Sequence, residues 1–236
     1  MKLRICCTSP HPWKHDDKCR MAANNSSEPT SPLDYRNKVI LAPMVRAGTL
    51  PLRLLAQSYG ADICYTEEII DKSINACVRI ENDELGSVDY LRGDRVILRI
   101  SPLEKACVFQ MGTADAPTAL KAAQLVCRDV RAIDINMGCP RSFSVSGGMG
   151  SALLKKPEVV HDILTTLVRN MDIPVTCKIR VLPTIAETID FVKMCESTGI
   201  KAIGVHGRQQ EERDKHDVRY DEVWGSLRSE RGLVFT

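Results

Sequence analysis

Short apolar runs alternate with longer helical ones from Val39 to Arg208, and few folds accommodate that rhythm. The strand-length runs are "VILA" (39–42), "DICY" (62–65), "CVFQMG" (107–112), "AIDINMG" (132–138), "PVTCKIR" (174–180) and "KAIGVHGR" (201–208). Between them stand "TLPLRLLAQSYG", which reads as a helix closing on Gly60, then "APTALKAAQLVCRDV", "PEVVHDILTTLVRN" and "AETIDFVKMCESTG". Six strands alternating with helices predict a parallel sheet. "RVILRI", inside the long stretch from 69 to 105, reads as an extra strand outside this repeat.

Strand phase narrows the choice, because residues two apart share a face. One face is apolar: Phe109 and Met111; Ile133, Ile135 and Met137; Val175, Cys177 and Ile179; Ile203 and Val205. The opposite phase carries Gln110, then Asp134 and Asn136, then Lys178 and Arg180, then His206. An open sheet covered on both sides would be apolar on both faces. A TIM (β/α)8-type barrel packs its outer face on helices and builds its active site from inward residues at the C-terminal rim. The expected fold class is therefore α/β, of the barrel type, with a cationic, donor-rich mouth.

Composition sets outer limits. The 236 residues suit one large domain or two small ones, and a formal net charge of +2 does not mark a nucleic-acid binder, although a local basic face is compatible with it. Ten cysteines are scattered without a C-x-x-C pair, which favours free thiols in a reducing compartment. No apolar run has the length of a membrane span, and "MKLRICCTSPHPW" lacks the apolar core of a signal peptide. Residues 1–37 show no period and read as a disordered head. Within it Cys6, Cys7, His11, His15 and Cys19 match no common zinc spacing, so a solvated tail is the reading adopted; Met21 before "AANNSSE" would serve as an internal start.

A family resemblance adds to this. "ILAPMVRAGTLPLR", "ADICYTEEI", "VFQMGT", "DINMGCPRSFSVSGGMGSALL", "TCKIR" and "VHGR" resemble the tRNA dihydrouridine synthases in order and spacing, over residues 38–220. The similarity is strongest to the eukaryotic type acting on a D-loop uridine, dihydrouridine-20. It implies an FMN-binding barrel, a helical tRNA-gripping domain, NADPH as electron donor, tRNA as partner, and a cytoplasmic protein that is monomeric in its complete form. It also implies that Ala42, Pro43 and Met44 pass along the flavin ring, and that Glu68, Gln110, Lys178 and His206 contact the ring or its ribityl chain. Asn136 and Arg180 would orient the uracil. Hydride would pass from FMN to C6 of the uracil, and Cys139 would be the proton donor to C5. An unperturbed thiol is mostly protonated at neutral pH, so it can act as an acid without much tuning. Pro140 ends the strand and leaves this thiol on a loop above the barrel mouth. Arg141, Lys155 and Lys156 are candidates for phosphate contacts.

The matching stretch is shorter than the roughly 250 residues typical of a closed barrel. The expectation is six βα units over 38–223, with the last two strands and the helical domain missing and residues 224–236 an unrelated tail. Two functions follow: a flavin-dependent reductase of tRNA uridine, or a truncated, catalytically inactive form acting only as a binding fragment. An FMN reductase of free pyrimidines is a more distant option.

Overall fold

The computed structural model describes residues 33–213, 215–220 and 233–235. In chain order the elements are β1 (Ile40–Leu41), α1 (Leu50–Ser58), β2 (Ile63–Tyr65), β3 (Ile69–Ile70), α2 (Asp71–Asn75), β4 (Val78–Asn82), β5 (Ser87–Arg92), β6 (Arg95–Ile100) and β7 (Cys107–Gly112). There follow α3 (Ala116–Val126), β8 (Ala132–Met137), α4 (Ser142–Ser146), a 3-10 turn (Gly150–Lys155), α5 (Pro157–Asn170), β9 (Val175–Arg180), α6 (Ile185–Ser197), β10 (Ala202–His206) and β11 (Leu233–Phe235).

The parallel sheet runs β1–β2–β7–β8–β9–β10–β11, with β3 also paired to β7. Strands adjacent in the repeat are adjacent in space, without the reversal of order that defines a doubly wound sheet. This is the wall of an incomplete TIM barrel, and all six strands read from the sequence lie in it. β2 and β3 are two halves of one barrel strand, both paired to β7 and separated by residues 66–68. The helices start where local chemistry dictates. Asp115 accepts from the Thr118 N–H at 3.0 Å to cap α3, Thr184 and Glu187 form a capping box on α6, and α5 opens on Pro157. Val160, Ile163, Leu164 and Leu167 then recur at helical spacing and bury one face of α5 against the sheet.

"RVILRI" is β6, and it does lie outside the repeat, in an antiparallel sheet with β4 and β5. The two partners were not legible beforehand because their charges break the apolar pattern; here those charges are paired. Arg79 donates twice to Asp129, at 2.8 Å each, and Arg99 forks onto Asp89.

Two boundaries differ from expectation. Leu33 and Tyr35, placed in the head, belong to the barrel: Tyr35 is buried with Ile63, Tyr65, Ala106, Val108, Ala132 and Ala202, and Leu33 packs on the same cluster. Two apolar side chains in a polar stretch carry no period, so they could not be read in advance. The earlier head residues, including the candidate metal cluster and Met21, lie outside the described residues. The tail was expected from 224 with no resemblance to the family; within it Leu233–Phe235 adds a seventh parallel strand, pairing Ile203 with Leu233 and Val205 with Phe235. An open parallel edge offers unpaired backbone groups to an extended segment of this kind.

The interior changes character along the barrel axis. Val108, Ala132 and Ala202 form an apolar floor with Tyr35. One level up, Gln110 is in register with Asp134, and Asp134 with Thr176. Next come Asn136, Lys178 and Gly204, and at the rim Arg180 beside His206.

A buried ion pair fixes α1 against the turn before β7. Arg53 of α1 donates to Glu104 at 2.6 and 3.0 Å, to the Gly48 carbonyl at 2.6 Å and to the Arg99 carbonyl at 2.7 Å. Both side chains of the pair are 1 % exposed. Removing one partner strands the other charge in the interior, so Arg53→Met should cost about 3–5 kcal/mol. Arg53→Met combined with Glu104→Leu should recover part of that loss in urea unfolding. An undiminished loss in the double variant would mean that the carbonyl contacts, and not the pair, carry the stability.

Candidate active site

At the C-terminal end of the strands lies a cavity of about 350 Å³, lined by Pro43, Met44, Val45, Gln110, Asn136, Gly138, Cys139, Pro140, Arg141, Lys178, Arg180 and His206. Eight of the ten residues singled out in the sequence line it. The exceptions are Ala42 and Glu68, which are not among its lining residues. Ala42 is half-buried just past β1. Glu68 sits in the β2–β3 break, where its carboxylate accepts from the Ser144 hydroxyl at 3.1 Å. The break between β2 and β3 brings it to the Cys139 loop through that contact.

The floor of the cavity is a directed hydrogen-bond chain. The backbone N–H groups of Gly138 and Cys139 donate to Asn136 Oδ1, at 3.0 and 2.9 Å. Asn136 Nδ2 donates to Gln110 Oε1 at 3.1 Å, and Gln110 Nε2 donates to Asp134 Oδ2 at 2.8 Å. Thr176 closes the chain with a hydroxyl donated to Asp134 Oδ1 at 2.6 Å. Every donor in the series points toward the carboxylate, so each amide has one orientation. Each amide nitrogen keeps a second hydrogen for a ligand.

Burial governs the charges. It pushes the Asp134 carboxyl up to about 6, against the hydrogen bonds from Thr176 and Gln110 and the Lys178 cation. It lowers the Lys178 ammonium to about 8, where Asp134 supports the charge and Arg180 opposes it. The Lys178 stem crosses the neighbouring strand where a Gly204 Cβ would stand 3.3 Å from Lys178 Cγ, so a larger residue there would displace it. Burial also raises the Cys139 thiol to about 11, with the Glu68 carboxylate adding to the rise and the Arg141 N–H and Ser144 hydroxyl opposing it. The thiol is thus held protonated over the cavity.

Arg180 makes a clamp that the sequence did not show. Its Nε donates to the Gly138 carbonyl at 2.8 Å and its Nη1 to the Gln209 carbonyl at 2.9 Å, clamping the Cys139 loop to the segment after β10. Arg208 and Arg213 stand close enough to lower its proton affinity further. Asp134 lay in the inward phase but had no role read for it. Thr176, Ser144 and Gly204 gave no signal, because their importance is a matter of register and contact.

Comparison with known proteins gives the class to which this barrel and site belong. The dihydrouridine synthase (Dus) family model matches residues 40–228, and the chain belongs to that family. It is 44% identical over 202 residues to a tRNA-dihydrouridine(20) synthase [NAD(P)+] of Saccharomyces cerevisiae, covering 80% of this chain and 53% of that protein. It is 43% identical to the enzyme of the same name from Schizosaccharomyces pombe (75% and 39% covered), and 36% to a mouse tRNA-dihydrouridine(20a/20b) synthase-like protein (78% and 53% covered). The agreement is thus higher with the two position-20 proteins, as the sequence motifs implied. The chain spans about half the length of the curated relatives it matches, or less.

The electrostatics of the site predict a pH profile. Lys178 labelling by an amine-reactive acylating reagent, followed by mass spectrometry, should have its midpoint at about 8, against about 10.4 for an ordinary lysine. Asp134→Asn removes the anion that supports the ammonium and should move that midpoint lower. A midpoint that rises in the variant would contradict the assigned pairing.

Proposed function

We propose that this protein reduces uridine to 5,6-dihydrouridine in tRNA, with FMN as its flavin and NADPH as reductant, and that it acts in the cytoplasm as a monomer in its complete form. The observation that carries this reading is the protonated Cys139 thiol above a cavity of oriented amide donors and one lysine, in a chain of the dihydrouridine synthase family. The relatives' names favour an enzyme over an inactive binding fragment. No helix among the described residues is long and apolar enough to cross a membrane.

The donor set suits a flavin. Gln110 offers an N–H of fixed orientation and Lys178 a cation, which complement an edge rich in carbonyl oxygen that becomes negative on reduction. Pro43, Met44 and His206 would hold the ring from the cavity wall, with Ala42 behind them. When bound, FMN supplies the hydride that reaches C6 of the uracil.

The protein's own residues supply the remainder. Asn136 keeps one free amide hydrogen toward the base, and Arg180, anchored through Nε and Nη1, is held at the rim beside it. Cys139 gives its proton to C5. A uracil stacked inside RNA must be splayed out to reach this depth. Arg141 is exposed at the mouth, Lys155 and Lys156 are exposed beyond it, and these would meet phosphates.

The direct test is mass spectrometry of tRNA lacking dihydrouridine after incubation with the protein, FMN and NADPH. Cys139→Ala should retain the flavin content of the parent and lose about 10²–10⁴-fold in single-turnover reduction, as removal of a general acid does. Dihydrouridine formed at the parent rate would remove Cys139 from the chemistry. Separately, Lys178→Met should lower the reduction potential of the bound flavin, since the reduced anion loses its cation. An unchanged potential would end that role for Lys178.

A further inference from the structure

The proposed chemistry consumes the Cys139 proton and leaves a thiolate that must be reprotonated before the next turnover. Beside it stands Glu68, a partly buried carboxylate. Glu68 Oε1 accepts from Ser144, and its Oε2 is buried without a hydrogen-bond partner among the described residues. Ser144 is itself fully buried. Gly150, at φ +58, presses on both neighbours: a Cβ there would stand 2.4 Å from Ser144 Oγ and 3.1 Å from Cys139 Cβ. On the other side a Gly112 Cβ would stand 2.7 Å from Glu68 Oε1. Glycine at these two positions lets the β2–β3 break, the end of β7 and the Cys139 loop close around one carboxylate, which accepts from the Ser144 hydroxyl and lies near enough to the Cys139 thiol for the two to shift each other's proton affinity.

We propose that Glu68 resets Cys139: it takes a proton from water and passes it to the thiolate after each reduction. The inference rests on the reading of Cys139 as proton donor. In the step, the O–H bond of the protonated Glu68 carboxyl breaks and the S–H bond forms. The carboxylate left behind is protonated again from solvent, so the proton consumed in the reduction comes from water. No change of oxidation state is involved. Burial raises the proton affinity of Glu68, which eases its protonation beside a newly formed thiolate. Serine at 144 keeps one carboxylate oxygen occupied and leaves the other unpartnered. The other charged groups facing this region are Arg180 from β9, Arg141 on the loop itself, and Lys178 and His206 across the cavity.

The first test needs neither tRNA nor flavin. Iodoacetamide alkylates the thiolate, so the pH profile of Cys139 alkylation, read on its peptide by mass spectrometry, reports the thiol's midpoint. Glu68→Gln preserves an acceptor for Ser144 but removes the anion beside the sulfur. The midpoint should fall below about 11, and alkylation at pH 8 should rise about tenfold for each pH unit of that fall. Glu68→Asp draws the carboxylate back by one methylene and should fall part-way, which preserves the test if the amide variant does not fold. With tRNA and NADPH, Glu68→Gln should slow the later turnovers more than the first. An unmoved alkylation profile, or an equal slowing of first and later turnovers, would overturn the proposal. Loss of dihydrouridine formation in the parent protein would instead overturn the function on which it rests.

Discussion

Asp134 is 1 % exposed, and the polar interior of the barrel is arranged around it. A buried carboxylate is costly unless its oxygens are satisfied, and here each accepts one strong hydrogen bond, from Thr176 and from Gln110. Those bonds exist because parallel pairing sets residues 110, 134 and 176 at one level. Once Gln110 must donate to Asp134, its carbonyl can only accept from Asn136. The Asn136 carbonyl is then left for the backbone at Gly138 and Cys139. The position of the thiol is thus linked, through the Asn136 and Gln110 side chains on two strands, to a carboxylate below it. Lys178 gains from the same anion, which offsets part of the cost of burying the ammonium.

Further buried contacts flank this chain of bonds. Arg53 and Glu104 lock α1 to the turn before β7, and the Arg53 contact with the Gly48 carbonyl holds the first loop against the β2–β3 break. A Cβ on Gly48 would stand 2.4 Å from Glu67 N, so that approach requires glycine. The break itself puts Glu68 near the Cys139 loop, while Arg180 holds the same loop from the opposite side. The thiol is therefore constrained from both flanks by groups that do not belong to its own strand.

Much of this was readable beforehand because strands and helices have different apolar periods. All six repeat strands, the long helices and the polar inward phase follow from counting residues, and that phase predicted a shared rim for Gln110, Asn136, Lys178, Arg180 and His206. The reading stopped where contact order takes over. Tyr35 and Leu33 are apolar residues without a period, β4 and β5 hide behind charges paired with Asp129 and Arg99, and β11 is a short triplet whose partner strand is over twenty-five residues earlier. The setting of Glu68 was hidden for a related reason: nothing in "TEEI" says that the strand is interrupted there.

The sequence by itself determined which residues alternate to opposite faces, hence the fold class and the membership of the polar rim, since side-chain period is a local property of the backbone. It also placed the family motif, Cys139 included. Only the tertiary structure decided the register that makes Asp134 the common acceptor, the turn of Glu68 toward the thiol and the clamp made by Arg180. Those depend on distances between strands and loops far apart in the chain, and spacing along one segment does not encode them.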